Sequence, residues 1–179
     1  MQYISILRGI NVSGQKKIKM ADLKSLYESS GYENVVTYIQ SGNVVFESSD
    51  KNTLKLKKTI EDAIQKKYKF DVPVEIRTKS EFKNIIKNSP FGSINLEKDG
   101  AKFLVTFLAT KPAKDKVSDV LKYVVLPEKL VVKGKEVYLY CPNGYGKSKL
   151  SNTFLEKKLG VEATTRNWKS VQKLYELSS

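Results

Sequence analysis

Histidine is absent from this chain of 179 residues, and cysteine occurs once, as Cys141. A single cysteine excludes an internal disulfide, and without histidine the usual zinc ligand sets cannot be assembled. The same absence excludes Ser-His-Asp and Cys-His catalysis, so any proton transfer would fall to Asp, Glu, Lys, Tyr or water. We therefore predict neither a metal site nor a cofactor.

Long hydrophobic runs are missing as well. A membrane helix needs about 20 mostly apolar residues, and no window of the sequence approaches that length. Residues 1–8 lack the charged region, the apolar stretch and the small-residue cleavage site of a secretion signal. The expected location is therefore the cytoplasm, with no membrane contact.

Negative charge is scarce relative to positive charge, because 32 Lys and Arg stand against 19 Asp and Glu, a net charge of +13. The excess is +6 over residues 1–90 and +7 over residues 91–179, so it is not confined to a tail. A basic protein attracts polyanions, which makes nucleic acid a candidate partner. Most of the excess is lysine, however, and the arginine fork suits phosphate better. We favour a solvated surface over a binding footprint as the explanation of the charge.

The pattern of apolar residues repeats in the two halves of the chain. Each half reads as β-α-β-β-α-β-α, with short runs of β-formers for strands and apolar residues at helical spacing for helices. This is the split βαβ order of a ferredoxin-like plait with one extra helix. The predicted fold is therefore α+β with two tandem ferredoxin-like halves, residues 1–90 and 101–179, and a linker at residues 91–100. Sequence echoes support this repeat and align Val74-Glu75 and Thr78-Lys79 with Val161-Glu162 and Thr165-Arg166.

The loop after the first predicted strand is the first candidate binding segment. It contains Arg8, Asn11 and two glycines, followed by Lys16 and Lys19 before a predicted helix. Glycines let backbone amides approach a ligand closely, and a helix N-terminus favours anions. A connecting loop whose glycines only satisfy backbone geometry is an equally good interpretation. The glycine spacing does not match the dinucleotide-binding fingerprint, so a Rossmann site is not predicted.

The second candidate is the loop at residues 141–149. It ends in Gly146-Lys147-Ser148 like a phosphate-binding P-loop, but Cys141 stands where that motif needs its first glycine. A nucleotide hydrolase is not predicted, because the preceding strand belongs to a hairpin and no magnesium-binding Asp follows at a suitable place. Lys147, Ser148 and Lys149 near a helix start could still hold a phosphate. We favour the simpler alternative, in which Ser148 caps the helix and the lysines face solvent.

Two further polar segments fall at a turn and at a predicted helix start. The turn at residues 38–43 contains Gln40, Ser41 and Asn43, which tight turns favour for geometry alone. Trp168 has helical spacing typical of a core anchor, whereas Arg166, a guanidinium among lysines, suits bidentate pairing with a carboxylate or phosphate. No segment matches the aromatic strand motif of the RNA-recognition fold, and fold analogy alone does not predict RNA binding.

Across these segments the sequence resembles an uncharacterised bacterial family known as domain of unknown function 1697. The resemblance runs nearly end to end and implies an α+β fold with duplicated plait-like halves, but it implies no activity. Where the family pattern often has Arg before a Ser-Lys pair, this chain has Lys147, which keeps the charge and loses the planar fork. The residues that carry the resemblance are Leu7-Arg8-Gly9-Ile10-Asn11-Val12, Gly14, Lys19-Met20, Thr37-Tyr38-Ile39-Gln40-Ser41-Gly42-Asn43-Val44, Pro142-Asn143-Gly144, Ser148-Lys149-Leu150, Thr165-Arg166-Asn167-Trp168 and Lys173-Leu174.

Together the segments suggest a binding protein for a phosphate-bearing ligand, either a nucleotide or a nucleic acid, in a basic cleft between the two halves. Two alternatives stay open. One is a transferase or hydrolase of small phosphate or nucleotide substrates that works without histidine or metal, and the other is a scaffold or homo-oligomeric interaction protein. The sequence predicts no oligomeric state and no catalytic residue. The candidate ligand-binding residues are Arg8, Asn11, Lys16, Lys19, Gln40, Ser41, Asn43, Asn143, Lys147, Ser148, Lys149 and Arg166.

Overall fold

The computed structural model describes all 179 residues and contains two four-stranded antiparallel sheets with flanking helices. The chain forms two compact units, the first comprising Met1–Lys83 with Leu174–Ser179 and the second comprising Asn84–Lys173. The predicted α+β fold with two tandem ferredoxin-like halves is confirmed. The boundaries drawn from the sequence stay a prediction, and the segment predicted as a linker contains a one-turn helix, Leu96–Asp99.

The first repeat has the strand order β2-β3-β1-β4, and all neighbouring strands are antiparallel. This order follows from the β-α-β-β-α-β sequence, because the two helices carry the chain across one face of the sheet. The elements are β1 (Gln2–Leu7), α1 (Met20–Ser29), β2 (Glu33–Tyr38), β3 (Asn43–Glu47), α2 (Thr53–Tyr68), β4 (Val74–Thr78) and α3 (Lys79–Lys87).

The second repeat follows the same plan with the strand order β6-β7-β5-β8, again antiparallel throughout. A short 3₁₀ turn, Tyr145–Lys147, precedes its second long helix. The elements are α4 (Leu96–Asp99), β5 (Phe103–Leu108), α5 (Lys114–Leu121), β6 (Lys129–Lys133), β7 (Glu136–Tyr140), α6 (Asn152–Leu159), β8 (Ala163–Asn167) and α7 (Trp168–Leu177).

Each unit has its own hydrophobic core between the sheet and the helices. Alternation along β1 turns Tyr3 and Leu7 towards the core, where they meet Ile60 of α2 and other buried side chains. In the second unit Leu104 and Leu108 of β5 do the same. The central residue on this face of β1 is Ser5, which is buried and hydrogen-bonded to the Tyr27 hydroxyl at 2.8 Å.

Helix boundaries follow from side-chain caps. Asn52 accepts hydrogen bonds from two amides of α2 and caps this helix. The cap of α3 is Thr78 in a capping box with Glu81, because Thr78 accepts from the Glu81 amide while the Glu81 carboxylate accepts from the Thr78 amide. Asn167 accepts from the Ser170 amide and caps α7.

Strand register relates the two repeats residue by residue. Leu7 of β1 pairs with Val74, and Leu108 of β5 pairs with Ala163. The same registers place Arg77 opposite Ile4 and Arg166 opposite Val105. Because Ile4 and Val105 are the third residues of β1 and β5, Arg77 and Arg166 are equivalent positions. The alignment suggested by the sequence echoes is therefore wrong by two residues.

Candidate functional site

The loop after β1 folds into a miniature hairpin. The Gln15 amide donates to the Val12 carbonyl at 2.9 Å, and Ser13 and Gly14 both have positive φ, as a type I′ turn requires. Gly14 therefore satisfies turn geometry, which supports the connecting-loop interpretation of this segment. The Lys16 ammonium donates to the Asp71 carbonyl, and Lys19 is exposed immediately before α1.

Asn11 holds this loop in place. Its amide nitrogen donates to the Ile18 carbonyl at 2.9 Å and to the Gln40 carbonyl at 2.8 Å. Its amide oxygen accepts from the Ile18 backbone at 2.9 Å. Both amide protons are thus used within the first unit, and Asn11 joins the loop after β1 to the turn between β2 and β3. It acts as a clamp between two segments that the sequence singles out separately.

The turn between β2 and β3 packs against the same loop. Gly42 has a φ of +85°, and a Cβ at this position would lie 2.6 Å from the Ile10 side chain and 2.9 Å from Leu7. The Leu7 amide donates to the Gly42 carbonyl at 2.8 Å. Asn43 is fully buried and donates to the Tyr38 carbonyl at 2.9 Å and the Ser41 hydroxyl at 3.1 Å. These contacts create one interlocked loop cluster, which we call the β1 loop cluster.

The candidate residues divide between the two units. In the first unit the β1 loop cluster brings Asn11, Gln40, Ser41 and Asn43 together. The Arg8 backbone amide binds the Pro73 carbonyl at 2.9 Å, and its side chain is half-buried. The side-chain amides of Asn11 and Asn43 donate hydrogen bonds within the β1 loop cluster, so these two side chains stabilise the loop conformation. The remaining candidates of this unit are Arg8, Lys16 and Lys19.

The glycine-containing loop of the second unit runs from Cys141 to the start of α6. The Gly144 amide donates to the Cys141 carbonyl at 3.1 Å and closes a turn. The Ser148 hydroxyl accepts from the Leu150 amide at 3.0 Å. Ser151, which accepts from the Phe154 amide, is the cap of α6, so the predicted capping role of Ser148 is wrong. The helix begins only after Ser151, which leaves Lys147 and Lys149 in the loop that precedes it.

An open groove of about 360 Å³ lies against this loop. The connection between α5 and β6 supplies one part of its lining and the loop supplies the rest. Lys147 and Lys149 are exposed and form no ion pair, and Glu128 is the single carboxylate of the lining. The lining residues are Tyr123, Val125, Leu126, Pro127, Glu128, Asn143, Gly144, Lys147 and Lys149. We call it the loop groove.

A network of hydroxyl groups joins the loop at residues 141–149 to β5 and β8. Tyr145 donates from its hydroxyl to Thr165 at 3.3 Å, and Thr165 is hydrogen-bonded to Thr106 at 2.7 Å. Thr165 also donates to the Asn152 side chain at 2.9 Å. Burial raises the pKa of Tyr145, so its hydroxyl stays protonated at neutral pH. Thr106 is the position equivalent to Ser5, which means that both central strands place a hydroxyl in the core.

Arg166 lies on β8 beside this network. Its guanidinium donates to the Thr165 carbonyl at 2.9 Å. Desolvation by burial lowers the pKa of Arg166 to about 10, so the group remains cationic at neutral pH. Trp168, the next candidate along the chain, is 4% exposed, which confirms the predicted core role.

The two buried charged residues of β4, Glu75 and Arg77, were not identified from the sequence. Glu75 and Arg77 are 5% and 2% exposed and form an ion pair at 3.3 Å. Lys57 of α2 reaches the other carboxylate oxygen of Glu75 at 3.1 Å. The signal that could have found them is the alternation of β4, in which two opposite charges two residues apart share one face of a strand between apolar neighbours. A buried carboxylate needs such partners because desolvation of an unpaired charge is costly.

The structure contains neither an activated thiol nor a cluster of metal-ligating side chains. Burial raises the pKa of the Cys141 thiol, which disfavours the reactive thiolate. No three His, Cys, Asp or Glu side chains lie together in a cluster that could hold a metal ion. None of the helices combines the length and the apolar character that crossing a membrane requires.

Comparison with known proteins places the chain in a family and a fold. It matches a solved structure described as conserved bacterial protein SP0830 from Streptococcus pneumoniae, with 24% sequence identity and a TM-score of 0.77. The match covers 99% of this chain and 98% of that protein. No curated protein matches the sequence. The family described as protein of unknown function DUF1697 matches residues 1–138, and the chain belongs to this family.

Proposed function

We propose that this protein binds a phosphate-bearing ligand in the loop groove of the second unit. The observation that carries the proposal is the pair of exposed lysines, Lys147 and Lys149, that line one groove without an ion pair. Two unneutralised ammonium groups attract an anion, and lysine is a common point-charge partner of phosphate. The loop also ends in Gly146-Lys147-Ser148, as a phosphate-binding P-loop does, although Cys141 replaces the first glycine of that motif.

The other lining residues of the loop groove suit a ligand that carries an apolar or hydrogen-bonding moiety in addition to its phosphate. Asn143 is exposed beside the lysines and offers both amide donors and an acceptor. Val125, Leu126 and Pro127 supply apolar surface, and Tyr123 adds an aromatic ring. A mostly apolar lining with a few polar groups is typical of small-molecule sites. The single carboxylate, Glu128, would repel a second anionic group placed near it and would accept from a hydroxyl or amine.

The size of the groove favours a small ligand over a long nucleic acid. Its volume of about 360 Å³ lies at the lower end of the range of about 300–1,000 Å³ that is usual for small-molecule pockets. A mononucleotide or a phosphorylated metabolite of similar size fits that range. The ligand chemistry common to these and to nucleic acid is the phosphate group, so the test includes both sources.

Calorimetric titration with inorganic phosphate, ATP and a single-stranded oligonucleotide tests the proposal. The double variant Lys147→Gln with Lys149→Gln should bind the best of these ligands about tenfold more weakly, which corresponds to about 1.4 kcal/mol. The matched control is Lys116→Gln with Lys157→Gln, which removes two exposed helical lysines outside the groove and should bind like the original chain. Equal weakening in both double variants, or no binding of any of the three ligands, would contradict the proposal.

Salt dependence separates a small ligand from nucleic acid. If an oligonucleotide is held only by Lys147 and Lys149, the logarithm of its affinity should fall with a slope of about −1.4 against the logarithm of salt concentration. That slope means a loss of about sevenfold between 50 and 200 mM salt. A much steeper slope would mean that many other lysines contact the strand, and the groove would then not be the principal site.

A further inference from the structure

Every open sheet has two edge strands whose outward backbone groups could pair with another chain. Three of the four edges here are blocked within the structure. In β2 the register shifts between Glu33 and Val36, and Asn34 has a φ of +50°, so a bulge interrupts that edge. At the edge of β4 the Val74 amide donates to the Glu61 carboxylate at 2.9 Å.

The edge of β8 is closed by side chains of α6. The Ala163 amide donates to the Glu156 carboxylate at 2.9 Å. The Ala163 carbonyl accepts from the Asn152 side chain, also at 2.9 Å. Both outward-pointing backbone groups of Ala163 are therefore used within the second unit, and a further strand could not pair with them without breaking these bonds.

The edge strand β6 has neither a bulge nor a side-chain bond to its outward backbone groups, and only its short length and its two lysines discourage pairing with another strand. Its five residues pair with β7 in continuous register without a bulge, and a two-residue turn with Gly134 at a φ of +62° joins the strands. In an antiparallel hairpin with a two-residue loop, the residues next to the loop form a hydrogen-bonded pair and pairs alternate from there. Lys133, Val131 and Lys129 therefore bond to β7, while the backbone groups of Leu130 and Val132 point to the free edge.

The two faces of β6 differ in chemistry. Leu130 and Val132 face the core side, and Val132 lines an open groove of about 350 Å³ together with Pro112 and Val117. On the other face Lys129 and Lys133 are exposed, with their ammonium groups about 6 Å from the rings of Tyr140 and Tyr138. Neither lysine forms an ion pair, although Lys133 donates to a backbone carbonyl at 2.8 Å. An added strand would therefore meet the apolar side chains of this groove, whose lining also includes Lys111 and Lys114, on one side and the ammonium groups of Lys129 and Lys133 on the other.

We propose that β6 binds an extended acidic segment of a partner protein by strand addition. Side chains on one face of the added strand lie beside those of β6 on the same face. Acidic residues of the partner would lie beside Lys129 and Lys133, and its alternate apolar residues would enter the groove lined by Val132 and Val117. A second copy of this chain fits less well, because antiparallel pairing of two β6 strands centred on Val131 brings Lys129 against Lys133. The proposal does not rest on the loop groove or its ligand.

Fluorescence anisotropy with a labelled peptide of alternating valine and glutamate tests this inference. The expected result is saturable binding, with no binding of a peptide of alternating valine and lysine. Charge reversal by Lys129→Glu with Lys133→Glu should weaken binding of the acidic peptide by at least about tenfold and create binding of the basic peptide. The control, Lys116→Glu with Lys157→Glu, should leave both results unchanged. The proposal would be overturned if the acidic peptide did not bind. It would also be overturned if the edge-strand double variant and the control double variant bound the acidic peptide with the same affinity.

Backbone pairing has its own test. Addition of the acidic peptide should slow hydrogen exchange at the amides of Leu130 and Val132, which point to the free edge, and should leave the already bonded Val131 amide nearly unchanged. The variant Val132→Pro removes one outward donor without touching a bond to β7 and should abolish peptide binding. Unchanged exchange at Leu130 and Val132 in the presence of bound peptide would show that the peptide lies elsewhere.

Discussion

Replacement of Gly42 by alanine tests the close packing of the β1 loop cluster. The residue has a φ of +85°, a conformation that costs a non-glycine residue about 1–2 kcal/mol. An added Cβ would also lie 2.6 Å from the Ile10 side chain and 2.9 Å from the Leu7 Cβ. Overpacking of this kind costs about 1–3 kcal/mol. We therefore expect Gly42→Ala to lower the free energy of unfolding by about 2–5 kcal/mol.

Gly31 supplies a matched control in the same unit. Its φ is also +85°, but no atom lies within 4 Å of an added Cβ. Gly31→Ala should therefore lose only the conformational part, about 1–2 kcal/mol. Urea unfolding followed by far-ultraviolet circular dichroism measures both, and with an m value of about 2 kcal/mol/M the midpoint of Gly42→Ala should lie about 0.5–1.5 M below that of Gly31→Ala. Equal midpoints would refute the reasoning, because the close approach to Ile10 and Leu7 would then impose no cost.

Two further predictions concern Asn11 and Tyr138. Asn11→Ala leaves three backbone groups without their hydrogen-bond partner. The matched control is Asn34→Ala, because Asn34 also has a positive φ but its exposed side chain makes no hydrogen bond. Asn11→Ala should lower the free energy of unfolding by about 1–3 kcal/mol more than this control, and equal losses in urea unfolding would refute the role of Asn11 as a clamp. Burial raises the pKa of Tyr138 from 10.0 to about 12, so the unfolded chain ionises first and stability should fall as pH rises from 10 towards 12. That fall should be smaller in Tyr138→Phe, and identical pH profiles in that range would contradict the prediction.

Much of the fold can be predicted from the sequence because each repeat spells its elements in order. Compact apolar runs rich in β-forming residues, such as residues 3–7, indicate strands, and Leu56, Ile60 and Ile64 mark one face of a helix, which the structure buries. Local capping chemistry offers Asp50 or Asn52 for the start of α2 and Asn167 for the start of α7, and the structure uses Asn52 and Asn167. These signals act within a few residues along the chain, so they do not depend on tertiary contacts.

The sequence leaves undetermined what depends on distant residues. Asn11 looks like a ligand-binding amide until its partner, the Gln40 carbonyl, is known from the structure. Ser148 looks like a helix cap because it precedes an apolar stripe, yet Ser151 starts the helix three residues later. Glu75 reads as an exposed strand residue, whereas Lys57 and Arg77 make its burial tolerable. In each case the deciding partner lies outside the local window.

The two repeats block one edge of their sheets in the same way, at β4 and β8, but differ at the other edge, at β2 and β6. Glu61 and Glu156 both stand on the helix before the last strand, and each accepts the first amide of that strand. The first hairpins differ, because Asn34 marks a bulge in β2 while β6 stays regular. Since the same architecture tolerates a blocked strand in one repeat, the fold does not require β6 to be open. Lysines on an edge strand discourage pairing with strands in general, so Lys129 and Lys133 leave the outward groups of β6 accessible mainly to a strand whose acidic side chains neutralise them.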